Sequence, residues 1–261
     1  VIDYADGALR LTFAGPVATL TLNRPAAKNA LNQAMWRALP EAMAEIAGRP
    51  ELRVLIVQGA GGVFAAGADI TEFPVVFADH AAALAYGALL EAALDAVEAV
   101  EIPILARIEG PCIGAGLALA LACDLRLAAE DARLGAPPAK LGLMYSLGDV
   151  RRLTRAVGVS TAKSMLFTGA LLDAPSALRL GLVDEVHPTA ELADTVEAKA
   201  RAMAELSPWS LRKAKAVMRL VEDGVRRDTT ETRAWFADGP MGPDFAEGVA
   251  AFHARRKPHF G

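Results

Sequence analysis

The sequence predicts an α/β fold, because short β-rich runs alternate with stretches of helical periodicity through the first two thirds of its 261 residues. Two of those runs open into glycine-rich turns that lead straight into a helix start. Beyond about residue 188 the strand signal disappears and the pattern is helical. These observations divide the chain into an α/β core, residues 1–188, and a helical region, residues 189–261, expected to serve oligomerisation. Simple capping of the same core by these helices is the alternative.

Residues 17–22 alternate apolar and polar as a half-buried strand does. Asn32 to Ala47 reads as a helix with Met35, Leu39, Met43 and Ile46 on one face and Pro40 as a kink. Residues 54–57 and 104–108 read as buried strands, and 124–128 is another strand. Asp79 can cap a helix through Val100 that places Leu90, Leu94 and Val97 on one face. Residues 182–187 give a fifth strand, Thr189 and Ser207 read as N-caps, and Pro208 suits a first helical position.

Composition excludes several classes. Lys and Arg number 27 against 31 Asp and Glu, a formal charge of −4, which argues against a protein built to coat nucleic acid. Much of the 53% hydrophobic content is alanine, and the uncharged runs 54–68 and 110–123 fall short of the roughly 20 apolar residues of a membrane span. Val1-Ile2-Asp3-Tyr4 carries no basic and apolar leader pattern, so the expected location is cytoplasmic. Cys112 and Cys123 form no CxxC pair and read as small core residues, and the four histidines are scattered, so no metal is expected.

The two turns carry the chemistry. One runs from Gly59 through Gly61, Gly62 and Gly67 to Asp69; the other runs from Gly110 through Gly114, Ala115 and Gly116. At such places backbone amides point outward unpaired and the helix dipole adds positive charge, so each turn can hold an anion or an oxyanion. Neither carries the Gly-Lys-Ser/Thr of a P-loop, and Leu119 stands where a GxGxxG dinucleotide turn needs its third glycine. Glycines used only for tight strand–helix packing are the other reading.

The runs Asn23-Arg24-Pro25-Ala26-Ala27-Lys28-Asn29-Ala30-Leu31 and Phe64-Ala65-Ala66-Gly67-Ala68-Asp69-Ile70 come first. Gly114-Ala115-Gly116 follows with Cys123-Asp124, then Arg152-Leu153-Thr154-Arg155-Ala156-Val157-Gly158 and Phe167-Thr168-Gly169. In order and spacing, through Glu247 to Phe252 and Arg256-Lys257-Pro258, the chain resembles the enoyl-CoA hydratase/isomerase (crotonase) family. The resemblance implies a spiral of strand–strand–helix units with a C-terminal helical trimerisation region, assembled as a homotrimer or a dimer of trimers.

It also implies an acyl-CoA thioester as substrate, with coenzyme A entering only as part of that thioester and no permanently bound cofactor. The N–H groups of Ala68 and Ala115 would hold the thioester carbonyl and its enolate, Ala115 standing where the family usually has glycine. Coenzyme A would lie near Arg24, Ala26, Ala27, Lys28, Ala66, Gly67, Asp69 and Ile70, with Lys257 contributing from the tail.

The catalytic positions depart from the pattern. The two glutamates that hydratases of the family use to position water are Ala118 and Pro138 here, so hydration by that pair is not available. The polar residues near the expected acyl pocket are Tyr145, Ser146, Asp149, Glu72 and Tyr86, of which Tyr145 and Asp149 are the catalytic candidates. The stretch from Pro137 to Leu147 looks like the family's acyl-CoA decarboxylase branch, in which a proline replaces the glutamate and a tyrosine follows; Ala68 and Ala118 stand where that branch can carry histidine and glutamate. Loss of CO₂ from a malonyl-type thioester makes the enolate without a base, so an oxyanion hole and the Tyr145 hydroxyl could suffice. Three readings follow: a hydratase/isomerase-type enzyme, a decarboxylase of malonyl or methylmalonyl type, and a non-catalytic acyl-CoA binder. The bland roles are a half-buried loop hydroxyl for Tyr145, a helix-start carboxylate facing the dipole or Arg152 for Asp149, and an early-helix carboxylate for Glu72.

Overall fold

A computed structural model describes residues 1–260. The chain opens with β1 (Ile2–Tyr4), β2 (Leu9–Ala14), β3 (Val17–Leu22) and α1 (Gln33–Ala47). It continues through β4 (Val54–Gly59), α2 (Phe73–Val76), α3 (His80–Ala99), β5 (Ile104–Ile108), β6 (Pro111–Ile113) and α4 (Ala115–Ala122). Then come β7 (Leu125–Ala129), β8 (Arg133–Gly135), α5 (Leu147–Thr168), β9 (Leu171–Asp173), α6 (Ala174–Arg179) and β10 (Glu185–His187). Four helices close the chain: α7 (Thr189–Ala204), α8 (Pro208–Glu222), α9 (Thr230–Asp238) and α10 (Pro243–Ala254).

Seven strands form the main sheet in the order β1-β2-β3-β4-β5-β7-β10, antiparallel at β1-β2-β3 and parallel from β3 onward. Side chains alternate across it. Leu55 and Val57 join the larger core under α1, α3 and α4, whereas Val54 and Ile56 face the other way, with Leu105 and Leu127, against Leu192, Val196 and Ala200 of α7. Burial on both faces explains why residues 54–57 are apolar throughout. A second sheet, β6-β8-β9, carries the chain into the site.

The expected elements recur with informative differences. Asn32, Asp79 and Ser207 cap α1, α3 and α8 through their side chains, and Pro208 is the first residue of α8. Thr189 is not a cap: it is the first residue of α7, its hydroxyl donates to Asp131 Oδ1 (3.0 Å), and Pro188 flanks the helix. The strand expected over 182–187 shortens to β10, because the amides of Leu182 and Val183 both turn back to the Ala177 carbonyl. Pro40 lies inside α1, where its missing N–H leaves the Trp36 carbonyl without an intrahelical donor. In α5 the run is interrupted at Gly158 (φ 74°).

Helix α7, just past the expected boundary at 188, packs on the second face of the main sheet against β4, β5 and β7. Among the described residues α3 is the one helix with the length and apolarity to cross a membrane; its Tyr86, Ala93, Leu94 and Val97 are buried, and it packs on α1 and α4. Helices α8, α9 and α10 leave Met218, Val221, Phe236, Phe245 and Phe252 exposed.

Candidate active site

The two glycine turns lie side by side. A parallel bridge joins Ala65 to Cys112: the Ala65 N–H donates to the Pro111 carbonyl and the Ile113 N–H to the Ala65 carbonyl, each at 3.0 Å. At Gly114 the backbone has φ 56° and ψ −119°, a conformation that glycine adopts without the clash a Cβ would bring, and this turns the chain into α4. A Cβ on Gly114 would sit 3.9 Å from the Gly67 Cα, and one on Gly116 would meet the Ala65 Cβ and carbonyl oxygen, each at 2.7 Å. The turns are thus in direct contact, Gly67 beside Gly114.

This packing leaves one N–H in each turn undirected. Leu31 donates to the Gly67 carbonyl (2.8 Å) and accepts from the Asp69 N–H (2.9 Å), so in this parallel pairing the intervening Ala68 N–H points to the opposite side. Ala115 opens α4, and its N–H has no carbonyl one turn back. Among the described residues neither amide has an acceptor, and both residues are half-buried. Two free donors from adjoining turns are suited to one shared oxygen.

Asn29, inside the Asn23–Leu31 motif, holds the first turn in place. It is fully buried with φ 54°, a left-handed conformation that asparagine tolerates. Its Oδ1 accepts from the Arg24 N–H (2.9 Å), and its Nδ2 donates to the Ala60 (2.8 Å) and Val63 (2.6 Å) carbonyls. Nothing short of the folded contacts announces this role.

The expected coenzyme A residues separate into three groups. Ala26, Ala27 and Lys28 form an exposed one-turn helix and its left-handed end, and the Lys28 carbonyl accepts from the Ala66 N–H (2.9 Å), which brings that loop beside Ala66, Gly67 and Ile70. Arg24 is committed elsewhere, since its guanidinium pairs with Asp69 (2.9 Å) and donates to the Ala30 carbonyl (2.6 Å). Asp69 also accepts from the Thr71 hydroxyl (2.6 Å); that bond, opposed by burial and assisted by Arg24, holds its carboxyl below the ordinary range. These two brace the turn. Lys257 is 82% exposed and pairs with Glu205 (3.3 Å) at the end of α7; among the described residues its side chain makes no hydrogen bond or ion pair with the others.

Ala118 follows Ala115 by one turn and is buried, and Pro138 is half-buried at the start of a short helical turn, Pro138–Leu141. Neither position offers a proton-transfer group. Glu72 is occupied, accepting from the first N–H of α1 at Gln33 (2.8 Å). Beside it Tyr86 packs edge-on to Phe77, and burial, then the Glu72 charge, pushes its phenol up to about 12.

Tyr145 and Asp149 stand out among the remaining groups. Both the Tyr145 hydroxyl and Asp149 Oδ1 are buried without a hydrogen-bond partner. Burial, and secondarily the Asp149 charge, raises the Tyr145 pKa well above its ordinary value, so the phenol stays protonated. Ser146 caps α5, accepting from the Asp149 N–H (3.1 Å) and donating to its Oδ2 (2.8 Å). Arg152, 2% exposed, approaches Asp149 Oδ1 at 3.8 Å while bonding Asp95 (2.7 Å) and Glu98 (2.8 Å). Asp149 therefore faces both the helix start and Arg152, and its Oδ1 still makes no hydrogen bond. No grouping of three or more metal-ligating side chains occurs among the described residues.

A sequence profile described as enoyl-CoA hydratase/isomerase matches residues 12–261. The chain is 37% identical over 246 residues to the probable enoyl-CoA hydratase echA8 of Mycobacterium tuberculosis, covering 94% of each, and 34% identical to the 2,3-dehydroadipyl-CoA hydratase of Escherichia coli, again covering 94% of each. A solved enoyl-CoA hydratase/isomerase family protein from Hyphomonas neptunium superimposes with a TM-score of 0.94 at 41% identity over 97% of each chain. With profile, relatives and fold in agreement, the chain belongs to the enoyl-CoA hydratase/isomerase family and has the crotonase fold.

Proposed function

We propose that this protein is an acyl-CoA enzyme that grips a thioester carbonyl between the N–H groups of Ala68 and Ala115 and stabilises the enolate formed there. The observation that carries this reading is the pair of acceptor-free amides on two turns in contact at Gly67 and Gly114. Preorganised donors of this kind are each worth about 10²–10³ in rate. Coenzyme A would run along Ala26, Ala27, Lys28, Ala66 and Ile70, with Arg24 and Asp69 fixing the turn behind it. Lys257 would join only from a different position of the tail or from another copy of the chain. The exposed Phe236, Phe245 and Phe252 support assembly of a trimer or a dimer of trimers, which we place in the cytoplasm.

Ala118 and Pro138 leave no glutamate pair for hydration. Taken without Asp149, the buried, protonated Tyr145 favours a second reading, decarboxylation of a malonyl-type thioester whose leaving carboxylate it could orient. Incubation with crotonyl-CoA and with methylmalonyl-CoA, followed by mass spectrometry for hydration and CO₂ release, separates the readings. Hydration at rates typical of dedicated hydratases would refute the reading that the losses at Ala118 and Pro138 go uncompensated. Binding without turnover across a broad acyl-CoA panel would leave a non-catalytic binder.

A further inference from the structure

We propose that Tyr145 and Asp149 form a site for one hydroxyl-bearing ligand oxygen, taking in place of the missing glutamates either the attacking water or the 3-hydroxyl of a 3-hydroxyacyl thioester. The inference rests on the reading of Ala68 and Ala115 as the carbonyl site. It comes from two buried polar atoms of opposite sense, the Tyr145 hydroxyl and Asp149 Oδ1, that have no hydrogen-bond partner. The Asp149 carboxylate is held from behind: Ser146 takes Oδ2 and Arg152 stands 3.8 Å from Oδ1. Tyr145 packs on the core, and the loop that carries it leaves β8 at Gly135, whose carbonyl accepts from the Gly114 N–H (2.9 Å). With α4 packed against α5, the phenol belongs to the neighbourhood of the second turn.

The ligand chemistry follows from what each group offers. A protonated phenol donates, and a carboxylate oxygen accepts. A hydroxyl or a water does both at once, whereas a substrate carboxylate would stand as a second anion beside Asp149. The site thus points to 2-enoyl and 3-hydroxyacyl thioesters rather than malonyl thioesters. In the hydration direction the water accepts from Tyr145 and donates to Asp149. Its oxygen bonds to Cβ as its proton passes to Asp149 Oδ1, and the C=C electrons move to the thioester oxygen. The enolate then takes that same proton from Asp149 at Cα, which returns the carboxylate and adds one water in all. Tyr145 holds the water and exchanges no proton.

Calorimetric binding of 3-hydroxybutyryl-CoA and butyryl-CoA to the whole protein tests the site without turnover. The wild type should prefer the hydroxyacyl ligand by about tenfold, and Tyr145→Phe and Asp149→Asn should each abolish that preference. Equal affinity in the wild type would overturn the proposal, as would a preference that survives both substitutions. Crotonyl-CoA hydration followed by ¹⁸O incorporation from labelled water should fall about 10²–10⁴-fold in Asp149→Asn and recover in part in Asp149→Glu. No ¹⁸O in any wild-type product would also overturn it. The carbonyl site has its own readout, the red shift of a bound push-pull cinnamoyl thioester, which Tyr145→Phe and Asp149→Asn should leave unchanged. Absence of that red shift in the wild type would count against Ala68 and Ala115 and not against the hydroxyl site.

Discussion

Gly116→Ala should separate the two amides by a calculable amount. The added methyl would lie 2.7 Å from both the Cβ and the carbonyl oxygen of Ala65 and 3.2 Å from its carbonyl carbon. Comfortable carbon–carbon contact lies at about 3.5–4.0 Å, so the two backbones must part by about 1 Å. Ala65 cannot retreat readily, because its N–H and carbonyl are both bonded to the strand that precedes α4. The first turn of α4 must move instead, and it carries the Ala115 N–H. Overpacking of this size costs about 1–3 kcal/mol of stability, and an ångström of misplacement in an oxyanion hole costs about 10² in rate. Turnover of whichever acyl-CoA the wild type accepts should fall by that factor, and the red shift of a bound cinnamoyl thioester should shrink with it. Gly87→Ala, whose methyl would meet nothing within 4 Å on α3, is the control. A Gly116→Ala protein with full turnover and full red shift would refute the assignment of the carbonyl site to these two turns.

Other substitutions probe the supports. Asn29→Ala removes three hydrogen bonds and places alanine at φ 54°, so it should cost about 3 kcal/mol or more and lower the melting temperature by about 6–12 °C; Asn29→Gly should recover only the backbone part. Lys28→Ala should weaken binding of a coenzyme A thioester by about 1 kcal/mol, roughly fivefold, and leave the pantetheine thioester unaffected, with the difference shrinking in high salt. Equal loss for both ligands would remove Lys28 from the coenzyme A site. Burial opposes ionisation of Glu98, but its bond to Arg152 and the charges of Arg152, Arg155 and Arg151 outweigh that and hold its carboxyl below the ordinary 4.5. A depressed folded-state pKa adds stability that is fully present above the unfolded value and is lost as pH falls through the folded one, so melting temperatures should decline below about pH 4.5. Glu98→Gln should be about 1–3 kcal/mol less stable at neutral pH and show a flatter acid limb in the same melts.

Local features of the fold were legible because local chemistry determines them. Asp79 and Ser207 cap helices through bonds to residues three positions on, and residues 54–57 advertise a strand buried on both faces. The short strands β6, β8 and β9 carry no such pattern, since three residues are too few to show a period. At the site, both turns and their helix starts could be read, but their contact depends on the bridge from Ala65 to Cys112, between segments far apart in the chain. Arg24 shows the same limit. A basic residue ahead of a turn suggests a phosphate partner, and only the fold reveals that Asp69 and the Ala30 carbonyl already hold its guanidinium.

The missing glutamates would have stood on two separate elements, α4 and the turn at Pro138, whose spacing the whole core must maintain. Tyr145 and Asp149 lie four residues apart around the start of one helix, with Ser146 as its cap. A carboxylate in that first turn is favoured by the helix dipole, and Arg152, anchored to Asp95 and Glu98 on α3, supports it from the side. The proposed pair therefore depends on the local geometry of α5 and one buried arginine more than on the relative placement of two walls. Substitutions that shift α4 should then damage carbonyl binding while sparing discrimination of the hydroxyl group. Loss of Arg152 should do the reverse, which makes the Gly116→Ala and Arg152→Met proteins opposite probes of one pocket.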